Sequence, residues 1–563
     1  MKSKQLVKKF KFFAGFVILL ILGINTNAQN SLTVADVQRI IAQAVSEAVA
    51  SNQKVTVSVV DKEGHVLGTF VMTGAAATTT IRGTGRAGQG FENVTVPARF
   101  ASLSKAGTGA LLSSGGNAFS TRTASFIIQE HFPAGIDNTP GGPLFGVQFS
   151  SLRCSDVVIA GLPLGLSGDA GGIPLYKNGI EVGGIGVEGD GLYTIDTNPR
   201  DSDQSFEEKI AVAGSRGFEA PALIRADNIL VAGIRFPFAN ISTSDFPAAT
   251  AIPFGSLPGA VDPSDPIIAA PASDFVPRTL NGVSGQASAR FPTVAGSALT
   301  VAEVDQILGA AAGVANITRA GIRQPIGSNA RVNIAVVDTD GRVLGFFRQV
   351  DAPVFGFDVS VQKARSVNFM SRPDAAAKIT GAGANTNGVV FASYVNRANA
   401  DGIALNGTIA FSDRGFGFLH RPLFPDGING TDAGPFSRPL ADFSPFNNGL
   451  QTDLVFDKVA APLPMCRSAV IEKRTAMPPF CQCTPISELK NGLQIFAGGI
   501  PLYRGNTLIG AIGISGDGIE QDDLIAAGGA NLFPAPLAMR SDNFFVRGVR
   551  LPFVKFPPRP FLP

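Results

Sequence analysis

A hexapeptide near the start of this chain, Leu32-Thr33-Val34-Ala35-Asp36-Val37, returns as Leu299-Thr300-Val301-Ala302-Glu303-Val304. Recurrence over such a span points to two similar structural units, and it limits the fold more than any local signal does. In both places a Thr stands three residues before an acid, so hydroxyl and carboxylate can each satisfy a free N–H at a helix start. Apolar residues follow at helical spacing, Val34, Val37, Ile41, Ala44 and Ala48 in the first unit and Val301, Val304, Leu308 and Ala311 in the second. Each unit is predicted to open with an amphipathic helix.

The likeness continues. Residues 55–68 (VTVSVVDKEGHVLG) match residues 332–345 (VNIAVVDTDGRVLG), β-branched runs either side of an Asp-x-x-Gly turn, which signals a β-hairpin. Ser104-Lys105-Ala106 aligns with Gln362-Lys363-Ala364 on an expected helix, and Phe132-Pro133 with Phe424-Pro425 in a loop. Gly171-Gly172-Ile173-Pro174-Leu175-Tyr176 recurs as Gly498-Gly499-Ile500-Pro501-Leu502-Tyr503, followed by the paired runs 183–187 and 510–514, whose small residues suggest close backbone approach. A last helix (Phe206 to Val212, Asp522 to Ala527) and a closing segment (Asp227 to Phe238, Asp542 to Phe553) complete both units. The expected fold class is α+β: two tandem domains, each an antiparallel β-sheet flanked by helices, with long loop insertions.

The chain has 563 residues, more than one core usually supports, and its 65 Gly and 38 Pro against 16% charged residues indicate many turns. Five lysines before Phe12 and the short apolar run Phe12 to Ile24 are expected to form a signal peptide, residues 1–28. The first domain then covers 29–238, a Pro/Ala/Ser/Gly-rich linker 239–296, and the second domain 297–563. Without the leader, 41 basic residues face 44 acidic ones, about −3, which argues against nucleic acid as partner. A secreted or periplasmic location follows, with no integral membrane segment after cleavage. In that setting Cys154, Cys466, Cys481 and Cys483 are disulfide candidates, with a soft-metal site around Cys466, Cys481 and Cys483 as the alternative.

The helix start, the Val-Val-Asp-x-x-Gly-(His/Arg)-x-Leu hairpin and the Gly-Gly-Ile-Pro-Leu-Tyr strand pair, in this order and twice, resemble the GlcG/HbpS family of haem-binding and haem-degrading-type domains. The resemblance covers the core of both halves. It implies a profilin-like sheet-and-helix fold, extracellular binding of haem or a related tetrapyrrole, and self-association of the domains or a homo-oligomer. Departures are the long Phe-, Gly- and Pro-rich insertions and Arg342 in place of His65.

Residues that would carry such binding are His65, His131 and His420, the only histidines, with His131 and His420 as candidate iron ligands beside the Phe-Pro loops. Lys105 and Lys363, with Arg122 and Arg365, are candidates for propionate pairing; the competing reading places them on the solvated surface. Glu207, Glu208, Asp522 and Asp523 read as helix-start acids more than as metal ligands. No nucleophile elbow, phosphate loop or zinc helix occurs. The expected function is an exported binding protein for haem, a related tetrapyrrole or another small ligand. The alternatives are an enzyme acting on haem or another small molecule, and an extracellular structural or interaction protein without haem.

Overall fold

The computed structural model describes residues 30–198, 201–460 and 482–562. The expected signal peptide, Cys466 and Cys481 lie outside the described residues.

Helix α1 (Val34–Ala50) starts as its sequence dictates: Thr33 Oγ1 accepts from the Asp36 N–H at 3.2 Å, and the Asp36 carboxylate accepts from the Thr33 N–H at 2.9 Å. Its apolar stripe, including Ile40, Ile41 and Ala44, is fully buried, and each large aliphatic side chain there contributes roughly 1.5–3 kcal/mol. Strands β1 (Thr56–Asp61) and β2 (Val66–Met72) form the hairpin, helix α2 (Ala98–Leu111) crosses over, strands β3 (Gly172–Lys177) and β4 (Ile180–Glu188) pair, and helix α3 (Phe206–Gly214) follows. Val57 and Val59 pack on α1 and α3, whereas Val60 meets Leu103 and Ala106 of α2 on the other face. Gly184 and Gly186 let α2 lie directly on β4: a Cβ at either would stand 2.1 or 2.0 Å from the carbonyls of Ala106 or Ser102.

The segment expected to be a linker instead completes both sheets. Strand β5 (Gly259–Val261) adds to β2, giving the order β5-β2-β1-β4-β3. Strands β6 (Phe275–Leu280) and β7 (Val283–Ser288) form a hairpin on the sheet of the second half. That half repeats the plan: helix α4 (Val301–Ala315), strands β8 (Val332–Val337) and β9 (Val343–Gln349), helix α5 (Gly356–Met370), strands β10 (Gly499–Arg504) and β11 (Thr507–Gly516), and helix α6 (Ile519–Ala530). Its order is β6-β7-β9-β8-β11-β10, the same four-strand centre with a different edge. Thr300 and Glu303 cap α4 as Thr33 and Asp36 cap α1. The architecture is α+β, antiparallel sheets flanked by helices.

The insertions are packed rather than loose. Phe149, Leu152 and Cys154 of the first half share one core with Phe355, Phe446, Val455 and Cys483 of the second. Cys154 and Cys483 form a disulfide across the halves. Arg365, 1% exposed, donates to both oxygens of Asp156 at 2.6 and 2.7 Å. The two Phe-Pro loops meet face to face: the Asn138 N–H donates to Asn429 Oδ1 at 2.8 Å, and the Asn429 N–H to Asn138 Oδ1 at 3.1 Å. No helix among the described residues is long and apolar enough to cross a membrane.

Candidate functional site

Where the halves meet, a cleft of about 240 Å³ opens to solvent, with about 970 Å³ of empty space when its mouth is included. Its walls are apolar. The first half supplies Leu112 at the end of α2, Phe119, Ile127 and Phe236; the second supplies Ile322, Phe355 and Ile519 at the start of α6. Phe236 is fixed edge-on against Phe119, Phe126 and Phe132 with centroids 5.8–6.2 Å apart. At the rim, Glu520 is paired with Lys555 at 2.8 Å.

None of the three histidines lines this cleft. His420 is fully buried, its ring 4.2 Å from Phe416 and 5.1 Å from Phe436, with Nδ1 3.2 Å from the Phe416 carbonyl. Nε2 has no hydrogen-bond partner, and burial pushes the pKa down to about 3, so the ring is neutral. His131 is 6% exposed, with Nδ1 2.7 Å from the Thr139 carbonyl. His65 Nδ1 lies 2.9 Å from Asp61 Oδ2, beside a space of only about 20 Å³. The expectation of His131 and His420 as iron ligands is therefore corrected. Phe416 and Phe436 enclose His420, and His131 is held in its own loop, so neither presents an imidazole to the cleft. The cleft offers apolar walls and no imidazole, so the three histidines do not fit a role as metal ligands there.

The basic candidates are also placed differently from either expectation. Lys105, Arg122, Lys363 and Arg365 are all buried, which overturns both the solvated and the propionate-pairing reading. Lys105 Nζ lies 2.8, 2.9 and 2.7 Å from carboxylate oxygens of Asp169, Glu188 and Glu207. Oxygens of these three acids come within 4.8 Å of one another, so the ammonium stands where a cation would be held. Burial opposes its charge, but the three carboxylates prevail and raise its pKa well above the usual range. Beside it, Arg122 pairs with Glu208 at 2.8 Å.

The second half keeps part of this plan. Lys363 Nζ donates to Asp522 at 2.9 Å and to the Ile514 carbonyl at 2.7 Å, and Arg414 pairs with Asp523. Phe496 occupies the place of Asp169, its ring 4.4 Å from Lys363 Nζ, and Ser515 that of Glu188. A buried carboxyl, Asp413, is added; burial lifts its pKa well above the carboxylate range, and neither oxygen has a hydrogen-bond partner.

These centres set a pH dependence. Burial lifts Glu207 from 4.5 to about 7 and Asp522 from 3.8 to about 7, against the opposing pull of Lys105 and Lys363. Between about pH 4.5 and 7 the folded state keeps two protons that the unfolded chain has released, so stability falls as pH rises through that window. His420 acts oppositely, its depressed pKa making stability rise between pH 3 and 6.5, but with one proton. Urea midpoints are expected to be lower at pH 7.5 than at pH 5, and Glu207→Gln with Asp522→Asn should flatten the slope. A midpoint that climbs steadily over this range in the unaltered protein would contradict the assignment.

Fold and site together define an α+β protein with a ligand-sized cleft between two similar halves. Residues 458–531, in the second half, match the family model described as haem degrading protein HbpS-like. No curated protein matches the chain. Among solved structures, a haem complex of PduOC is 19% identical over 34% of this chain and 97% of its own, with a TM-score of 0.22. Klebsiella pneumoniae ORFY is 20% identical over 34% of this chain and 91% of its own, TM-score 0.22. A Streptomyces reticuli HbpS double mutant is 20% identical over 33% and 86%, TM-score 0.19.

Sequence reasoning missed the cleft, whose walls come from segments far apart in the chain. Leu230, Val231, Ala232 and Phe236 carried a signal, since they lie in the closing segment that both units share.

Proposed function

We propose that the protein is an exported binding protein that holds a planar, largely apolar small ligand of the tetrapyrrole class between its halves, and that the first half is a second HbpS-like domain. The observation that carries this reading is the apolar cleft walled by both halves, with Phe119, Phe236 and Phe355 placed to pack against a ring. The open mouth leaves room for the polar edge of such a ligand in solvent. Export is supported by the Cys154–Cys483 disulfide, a bond favoured in oxidising compartments. The common strand order of the two sheets supports the duplication.

With no imidazole in the cleft, the ring is held by its faces rather than through its metal. Titration of the chain from residue 29 onward with haemin and with metal-free protoporphyrin IX is therefore expected to saturate near one equivalent for both. Phe236→Ala and Ile322→Asp should each weaken binding at least tenfold, because the apolar walls supply the affinity. His131→Ala and His420→Ala should leave it unchanged. Failure of both ligands to saturate would overturn the proposal, as would binding that depends on a histidine and ignores the cleft variants.

A further inference from the structure

A second cavity, also of about 240 Å³, lies in the first half, away from the cleft between the halves. Ile173, Val212, Ala220 and Ile241 make it apolar on one side, and Arg225 and Glu219 stand on the other. Arg216 donates to the carbonyls of Thr243 and Phe246 at 3.0 and 2.8 Å, which fixes the stretch containing Ser242 and Ser244 as one wall.

The duplicated plan offers an internal control for Arg225. Its counterpart in the second half is Arg540: Ala118 bridges Arg225 as Ala410 bridges Arg540, and Ser120 donates to the Phe238 carbonyl as Ser412 does to that of Phe553. Arg540 is neutralised, donating from Nε and Nη2 to the two oxygens of Asp542 at 3.0 and 2.7 Å, and it lies 4.4 Å from the Phe553 ring centroid. Among the described residues Arg225 has no such carboxylate partner. Asp227, the counterpart of Asp542, accepts from Asn228 instead, and Arg225 Nε is buried without a hydrogen-bond acceptor. Its guanidinium lies 5.9 Å from the Phe238 ring centroid. A buried donor left unmade costs free energy, and an arginine fork is shaped to take a carboxylate through two parallel N–H bonds.

We propose that this cavity binds a small monocarboxylate, its carboxylate on Arg225 in the position that Asp542 fills for Arg540, and its short apolar body against Ile173, Val212 and Ala220. Glu219 sets the charge: it lines the same cavity, with Oε2 accepting the Gly217 N–H at 2.8 Å, and its negative charge repels a dianion such as phosphate more than a monoanion.

The test is calorimetric titration of the chain from residue 29 onward with butyrate, benzoate and inorganic phosphate. Butyrate or benzoate is expected to saturate at one equivalent, at least tenfold more weakly in Arg225→Gln and unchanged in Arg540→Gln, with phosphate failing to compete. Ala220→Leu, which fills the cavity and leaves the guanidinium in place, should show the same loss, so the outcome does not depend on Arg225→Gln folding. Haemin titration should be unaffected by either substitution. Absence of saturable carboxylate binding, equal binding by Ala220→Leu, or tighter binding of phosphate than of both carboxylates would each overturn the proposal.

Discussion

Lys105→Met is expected to destabilise the protein by about 3–5 kcal/mol at pH 8, the cost of stripping a buried charge cluster of its counter-charge. The side chain is fully buried, and its ammonium is within 2.9 Å of Asp169, Glu188 and Glu207. Met fills nearly the same volume, so the loss is electrostatic rather than a packing defect. Without the ammonium the acids must take up protons to stay buried, and the loss should shrink at pH 5, where protons are available. Lys363→Met should cost less, because Phe496 and Ser515 replace two of the acids and the carboxylate in contact is Asp522. Urea unfolding of both variants at the two pH values decides the matter. A Lys105→Met loss below about 1 kcal/mol at pH 8 would mean the acids are already neutral without it.

Removing the disulfide with Cys154→Ser and Cys483→Ser together is expected to cost up to about 5 kcal/mol, since the bond closes a very long loop in the unfolded chain. The two cysteines are 329 residues apart and sit in the core that both halves share. The bond does more than restrict the unfolded ensemble, because it ties the first half's insertion to the second half's beside the Arg365–Asp156 pair. The variant should therefore unfold in two separated steps in urea, each half on its own, where the oxidised protein unfolds in one. A single transition at an unchanged midpoint would show that the shared core holds the halves together unaided.

The parts of the fold legible in the sequence were those fixed by short-range physics. Thr33 with Asp36 and Thr300 with Glu303 mark helix starts because a capping box needs only four consecutive residues. The Asp-x-x-Gly hairpins and the glycines of β4 are readable for the same reason. The stretch 239–296 misled because its Pro and Gly suggested a linker, yet Pro277 lies in β6, an outermost strand that pairs on one side only and tolerates a residue without an N–H. Lys105 was misplaced because charge ordinarily means exposure. The contrary signal was present: α2 (ARFASLSKAGTGAL) is small and weakly polar all round, as a helix covered on both sides must be. His420 and the cleft were beyond local reading. What surrounds them depends on how one half's insertions meet the other's, and that contact leaves no period or spacing in the chain.

Two separate copies of such a domain would form a shared cleft only at concentrations above their dissociation constant, so ligand capture would vanish on dilution. Here Asn138 meets Asn429 and Cys154 is bonded to Cys483 within a single polypeptide. The pairing is intramolecular, with an effective concentration that does not change when the protein is dispersed. The cleft between the halves thus persists at any dilution, as the proposed export and binding would require. A symmetric pair must present the same surface twice, whereas this chain can set Phe236 on one wall and Ile519 on the other, and grip the two ends of a ligand differently.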